Sequence, residues 1–350
     1  MPGKAPKRKP ARWQLPLTKE RRPNAEEIES IRKRARALTE RARKRFKTAK
    51  VDVKPVFENE LPSNTTIALL CPHADDLSLD MGRTAYGLTR PERKNSVHSF
   101  TLTSGHLGSR DYIKEKGLDS PTKVSRTASK GFTRVDAITR KTAAYAEEGR
   151  SLKRLIALRR LEATRESKVL GTKNHFLDFE FYDKKMGKPN ARNAIIQRDI
   201  EMLLRQMLQL KPQIMFFTHE LDRTHPDHHI THVLGKIVAE ELVRITGQPI
   251  EIWETNNTSN TLAPKDITHV VINSPEARTA QQQALYKHAS QLLRTRYDEI
   301  VDGTMKRYQN IFAKVTKGRG TMTGEVPPMD VFIRYRLVWN GSKVVREKIA

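Results

Sequence analysis

Ile67-Ala-Leu-Leu-Cys71-Pro-His73-Ala-Asp75-Asp76 is an apolar run that stops at a proline and passes at once into a histidine and two aspartates. Five consecutive apolar residues with no polar alternation read as a strand buried on both faces, the kind found in parallel sheets. Pro62-Ser-Asn64 before it and Pro72 after it bound the strand. Open α/β sheets carry their active sites at the carboxyl ends of such strands, so the cluster His73–Asp76 falls where chemistry is expected.

A second pairing of the same kind lies about 150 residues on. Ile214-Met-Phe-Phe217 is again apolar, and His225-Pro-Asp-His228 follows it. Between the two, Val97–Thr103 reads as a strand ending at Ser104-Gly-His-Leu-Gly108, and a helix through Leu79–Leu88 precedes it. Strand, helix and strand at this spacing predict a right-handed βαβ unit. Further along, the pattern predicts a helix over 152–170 stopped by Gly171, a strand over Phe176–Phe181 and a helix around 194–210. It continues with a helix over 229–246, strands at Ile250–Glu254 and Ile267–Ile272, a helical region over 276–314 and a closing antiparallel strand at Val331–Trp339.

The 350 residues carry a net charge of +25, unevenly spread. Residues 1–50 hold 18 lysines and arginines against five glutamates, an excess of 13. This stretch reads as an extended segment and then, from the Asn24 N-cap with Glu27 in the capping-box position, a thin amphipathic helix to about residue 48. Such an arm would attract a polyanion, nucleic acid or an anionic surface, in a salt-dependent way. Residues 109–150 form a basic, polar insertion, a candidate lid. The expected organisation is therefore an arm over 1–50 and a catalytic α/β domain over 60–345. No apolar stretch is long enough for a transmembrane helix. The start lacks the apolar core of a secretory signal, and Cys71 is the single cysteine. A disulfide framework and a thiolate zinc cluster are excluded, and a cytoplasmic setting is the expectation.

The two clusters together suggest a metal site. His73 and Asp76, three apart at a helix start, share a face, and His228 completes two imidazoles and a carboxylate with positions left for water and substrate. Zn2+ suits the imidazoles best, though Fe2+ uses the same set. Asp75 can take a proton from water and pass it to a leaving amine, and His225 can face a developing oxyanion. Asp227 can hold the second nitrogen of a histidine ligand.

Taken in order, these segments resemble the PIG-L/LmbE-like family of metal-dependent de-N-acetylases. Pro72-His-Ala-Asp-Asp-Leu77 with Gly82 is similar to the family's first motif, and His225-Pro-Asp-His228 is its third, intact. Thr103-Ser-Gly-His-Leu-Gly108, Arg159-Arg-Leu-Glu162 with Leu170-Gly171, and Ala284-Leu-Tyr-Lys-His-Ala-Ser-Gln291 resemble the motifs between and after, so that the likeness covers about residues 64–315. The resemblance implies a Rossmann-like, mostly parallel sheet with helices on both faces. It also implies His73, Asp76 and His228 as zinc ligands, Asp75 as general base and His225 as oxyanion stabiliser. The implied reaction is hydrolysis of the acetamide of an N-acetylglucosamine conjugate. Leu77 and His106 stand where the motifs carry acids, and Ala74 stands for a proline. His106, Arg159 and Arg160 are candidate substrate contacts. Two other readings compete: a binding protein on the same scaffold, targeted to polyanions by the arm, and an amidase or esterase acting on a non-sugar substrate. Retention of Asp75 favours an enzyme, since a binding module needs no base beside its metal.

Overall fold

The first expected strand forms as β2, Thr66–Cys71, an interior strand, third from one edge, of the nine-stranded sheet that the described residues form. The computed structural model describes residues 53–103, 105, 151–179, 197–219, 226–255, 266–288 and 328–349. The arm and the 109–150 insertion lie outside them.

From β2 the chain passes through helix α1 (Asp76–Leu88) to β3 (Ser96–Thr101), then through α2 (Ser151–Leu170) to β4 (Lys173–Phe176). It then crosses through α3 (Gln197–Leu210) to β5 (Ile214–Thr218), and continues through α4 (Pro226–Thr246) to β6 (Ile250–Thr255). These five strands run parallel in the order β6-β5-β2-β3-β4. The chain thus winds outward in one direction from β2 and in the other from β5. The crevice between the carboxyl ends of β2 and β5 is the switch point, where open α/β sheets bind ligands.

Beyond β6 the sheet turns mixed. The long strand β8 (Met329–Trp339) runs antiparallel to β6 along one edge. Along its other edge it pairs first with β7 (His269–Ile272) and then with β9 (Val344–Lys348), while β1 (Lys54–Phe57) runs parallel to β7. Helix α5 (Pro275–Leu285) follows β7, with Ser274 as its N-cap accepting from the Ala277 N–H.

Two apolar layers hold the sheet. Leu77, Met81, Ala85 and Leu88 of α1 and Ala280 and Ala284 of α5 pack with Ile67, Leu69, Phe216 and Trp253 on one face. Leu203 and Met207 of α3 and Ile230, Leu234 and Val238 of α4 pack with Ala68, Leu70, Met215 and Phe217 on the other. Alternate residues of β2 and β5 thus serve opposite layers, which is why both strands read as unbroken apolar runs.

Some expected boundaries move. The strand placed at Phe176–Phe181 forms earlier, at Lys173–Phe176. Asp178 takes a left-handed φ of 49°, which breaks the extended run after Phe176. The edge strand is polar, Lys-Asn-His-Phe, and so carries little pattern. Helix α4 starts at Pro226, not 229, because proline is well placed in a first helical turn where its missing N–H costs nothing. Asp227 and His228 therefore sit on the helix itself. Helix α5 ends at Leu285 and turns through His288, and 289–314 lie outside the described residues. Among the described residues no helix is long and apolar enough to cross a membrane.

Candidate metal centre

β2 hands its chain to α1 through a loop fastened to the end of β3. The Leu102 N–H donates to the Cys71 carbonyl at 2.9 Å, and the Thr103 N–H and hydroxyl donate to the Pro72 carbonyl at 3.0 and 2.8 Å. Gly105, with φ +63°, passes so close that a Cβ there would lie 3.0 Å from His73 Cβ and 3.2 Å from Arg159 Nη2. The glycine of the Thr103–Gly108 motif is thus needed for a positive φ and for close approach to His73.

Asp76 opens α1 and folds its carboxylate back on the loop, where Oδ2 accepts from the His73 N–H at 2.7 Å. The same oxygen lies 3.1 Å from His73 Nδ1 and 3.4 Å from His228 Nε2, which reaches in from the first turn of α4. One donor atom from each of His73, Asp76 and His228 lies within 4.8 Å of the others. Zinc bonds of about 2.0–2.2 Å in tetrahedral array separate donors by roughly 3.3 Å, so these spacings suit a single small divalent ion. Two imidazoles and a carboxylate fit Zn2+ and other imidazole-binding ions better than Mg2+ or Ca2+.

The electrostatics of the cluster are mutual. Burial works against charge on Asp76, but His228 and His73 outweigh it and hold the carboxyl well below its usual range. Burial likewise disfavours the His73 cation, yet Asp76 and Asp227 raise its pKa well above the ordinary histidine value. Asp227, one residue before His228, holds His73 Nε2 at 2.9 Å. With Nε2–H donating there, the Nδ1 lone pair faces Asp76 once its proton is lost, and a metal bound there would take the place of that proton.

Asp75 is buried beside this set, and Arg159 of α2 donates to its Oδ1 at 2.7 Å. Burial alone would raise the Asp75 pKa, but the guanidinium wins and lowers it. Arg159 is itself 1% exposed and lies 3.6 Å from Glu162 on its own helix.

The structure brings His73, Asp75, Asp76, Asp227, His228 and Arg159 together. It does not bring Arg160, which pairs with Asp178 past the end of β4 and lies over the Phe176 ring. His225 and His106 lie outside the described residues. Leu77, at the position of a motif acid, is packed in the core under α1. Sequence reasoning passed over Glu166 and His288, both buried and 3.4 Å apart at Glu166 Oε1 and His288 Nε2. His288 lay in a quoted motif, and Glu166 sits one helical turn after Glu162.

An open, mostly parallel α/β sheet with a His–Asp–His donor set at its switch point is the build of an α/β enzyme with a place for a divalent ion. Residues 68–239, about half of the chain, match the family described as PIG-L, GlcNAc-PI de-N-acetylase. A Bacteroides thetaiotaomicron protein called a putative glucosamine-6-phosphate deaminase-like protein is 24% identical over an alignment of 263 residues that covers 67% of this chain. The chain spans 37% of that relative's length. Among solved structures, the zinc-inhibited form of teicoplanin deacetylase Orf2 superposes with a TM-score of 0.49 at 14% identity, covering 79% of this chain and all of that one. N,N'-diacetylchitobiose deacetylase from Pyrococcus horikoshii gives a TM-score of 0.45 at 15% identity, covering 77% of this chain and 83% of that one.

Proposed function

We propose that the chain is a zinc-dependent hydrolase that removes the acetyl group from an N-acetylglucosamine-type conjugate, with His73, Asp76 and His228 holding the ion and Asp75 as the base. The observation that carries this is the placement of a second, ion-paired carboxylate next to a three-donor set in the switch-point crevice.

A divalent ion in the donor set supplies Lewis acidity, making a water more acidic and polarising a carbonyl. Asp75 is ionised at neutral pH because Arg159 lowers its pKa, so it is ready to accept a proton. A carboxylate held low is a weak base, and it serves only where the water it faces has been made more acidic. In the reaction the water oxygen bonds to the acetamide carbon while Asp75 takes a water proton. The C–N bond then breaks, Asp75 returns the proton to the amine nitrogen, and acetate and amine result. Arg159 keeps Asp75 in place through this exchange, and Asp227 keeps His73 in its ligating orientation. His225 is the candidate to face the oxyanion. An amino-sugar substrate is supported by the match to the PIG-L family model and by the amino sugar in the name of the Bacteroides relative.

The test is release of primary amine from a panel of N-acetylglucosamine conjugates, with chelated protein, zinc-reloaded protein and Asp75→Asn compared. Release that needs zinc and disappears in the variant supports the reading. Zinc-loaded protein that releases no amine from any conjugate, with metal confirmed bound, sinks it in favour of another amide or a binding role.

A further inference from the structure

Asp75 occupies the N-cap of α1 with φ −104° and ψ −8°, in the helical and not the extended region, and its side chain makes no capping hydrogen bond. An N-cap aspartate in the usual extended conformation accepts from the backbone N–H two or three residues on, which for this helix would include Ser78, and the helical angles of Asp75 keep its carboxylate from that place. The Ser78 N–H is taken instead by Glu166 of α2, at 2.8 Å to Oε1, and the Ser78 hydroxyl donates to the same oxygen. Glu166 is 1% exposed and Ser78 fully buried, so an unanswered N–H there would be costly. His288, beyond the end of α5, closes on Glu166 from the other side, and Gln281 of α5 donates to the Ser78 carbonyl at 2.7 Å. Two helices, α2 and α5, therefore converge on the first turn of α1, and a carboxylate from outside the helix does the capping.

We propose that Glu166 is a positioning residue that caps α1 in place of Asp75, and so leaves the Asp75 carboxylate on Arg159 and in the site. This rests on the reading of Asp75 as the proton acceptor. An aspartate at an N-cap has two destinations for its carboxylate, its own helix or elsewhere. Glu166 satisfies the donor, so Asp75 need not turn extended to cap and keeps its helical angles, and Arg159 supplies the second. The geometry explains why a glutamate is buried at a place where no substrate group is needed. It gives His288 a part too, 3.4 Å from the same carboxylate oxygen that answers an amide and a hydroxyl.

The experiment uses two replacements in the full chain. Glu166→Met keeps the volume and removes the acceptor, whereas Glu166→Gln keeps an acceptor for Ser78. In a crystal structure of Glu166→Met, Asp75 is expected to turn to an extended backbone, place its carboxylate on the Ser78 N–H and leave Arg159. Its kcat is expected to fall about 10- to 100-fold, the scale on which small misplacements of a reacting group act. KM should stay within about twofold and zinc stoichiometry should be unchanged. In Glu166→Gln, Asp75 should stay on Arg159 and kcat within about threefold of wild type. Asp75 still on Arg159 in the methionine variant overturns the proposal. So does a glutamine variant that loses activity while its Asp75 has not moved, a result that also decides the matter if the methionine variant does not fold. Because the crystallographic arm needs no turnover, a wild-type protein without deacetylase activity would sink the proposed reaction and still leave the capping exchange to be judged.

Discussion

His73 and Asp227 meet at 2.9 Å, Nε2 to Oδ2, across 154 residues of sequence. The contact joins the loop after β2 to the first turn of α4, so both sides of the switch-point crevice share one hydrogen bond. Partners of this kind fix a ligand histidine's tautomer and ring orientation, and losing one costs about 10- to 100-fold in metal affinity. Asp227→Ala is therefore expected to weaken zinc binding by that factor, while Asp227→Asn, which retains an acceptor, falls between. Competition against a chromophoric chelator measures it. An alanine variant with wild-type affinity would show that Asp227 does not orient His73.

Gly105 makes a second demand on the same histidine. An added Cβ would stand 3.0 Å from His73 Cβ and 3.2 Å from Arg159 Nη2, at a φ of +63° that L side chains seldom adopt. Gly105→Ala should shift His73 and weaken zinc binding, and should destabilise the fold by roughly 1–3 kcal/mol through backbone strain. Chelator competition and a denaturant titration read the two effects separately. Zinc affinity unchanged in a folded variant would mean that the loop yields and the histidine does not.

Much of this site was legible in the sequence because it hangs from the two most apolar strands. Ile67–Cys71 and Ile214–Thr218 are buried on both sides, so their runs are unbroken and the clusters after them fall at a predictable place. Less legible was what lies behind the donors. Glu166 and His288 act from α2 and from beyond α5, and only the packing of three helices brings them to Ser78. Likewise β4, a polar edge strand, and β1 and β9, at the far side of the sheet, carry short patterns that tertiary pairing completes. Arg159 and Arg160 are adjacent in sequence but have opposite fates, one ion-paired with Asp75 and one with Asp178, because neighbours on a helix do not share a face.

The sheet's mixed half is tied to α1 by Asp330 of β8. Its Oδ1 accepts from Arg83 Nε and Nη2 at 2.9 and 2.6 Å, and its Oδ2 accepts from the Thr84 N–H and hydroxyl and from Asn273 Nδ2. Asp330 is fully buried and Arg83 1% exposed. Removing one member of such a pair strands a buried charge and costs about 3–5 kcal/mol. Asp330→Ala should lose stability on that scale in urea titrations, and because α1 carries Asp76, zinc affinity should fall with it. A loss below about 1 kcal/mol would mean that the cluster relaxes and Arg83 finds water, as an exposed pair would.

His269 of β7 predicts how the fold responds to acid. It is 2% exposed, lies between β1 and β8, and bonds through Nδ1 to the Thr268 hydroxyl at 2.8 Å. Burial, with the nearby charges of Arg334 and Lys54, lowers its pKa to about 3, against about 6.5 for an unperturbed histidine. The sign follows from which state binds the proton. Between pH 6.5 and pH 3 the unfolded chain protonates this residue and the folded one does not. Stability is thus complete above about pH 6.5 and declines as pH falls, by up to about 1.4 kcal/mol per pH unit from this group. His98, lowered to about 4 by burial and by His175 and Lys173, adds to the same slope, so the wild-type curve alone cannot isolate His269. Comparison with His269→Gln does so. The difference between the two stability curves should grow in the variant's favour from pH 7 to pH 4.5, whatever the variant costs at neutral pH. Parallel curves would mean that His269 takes up its proton in the folded state as readily as in the unfolded one.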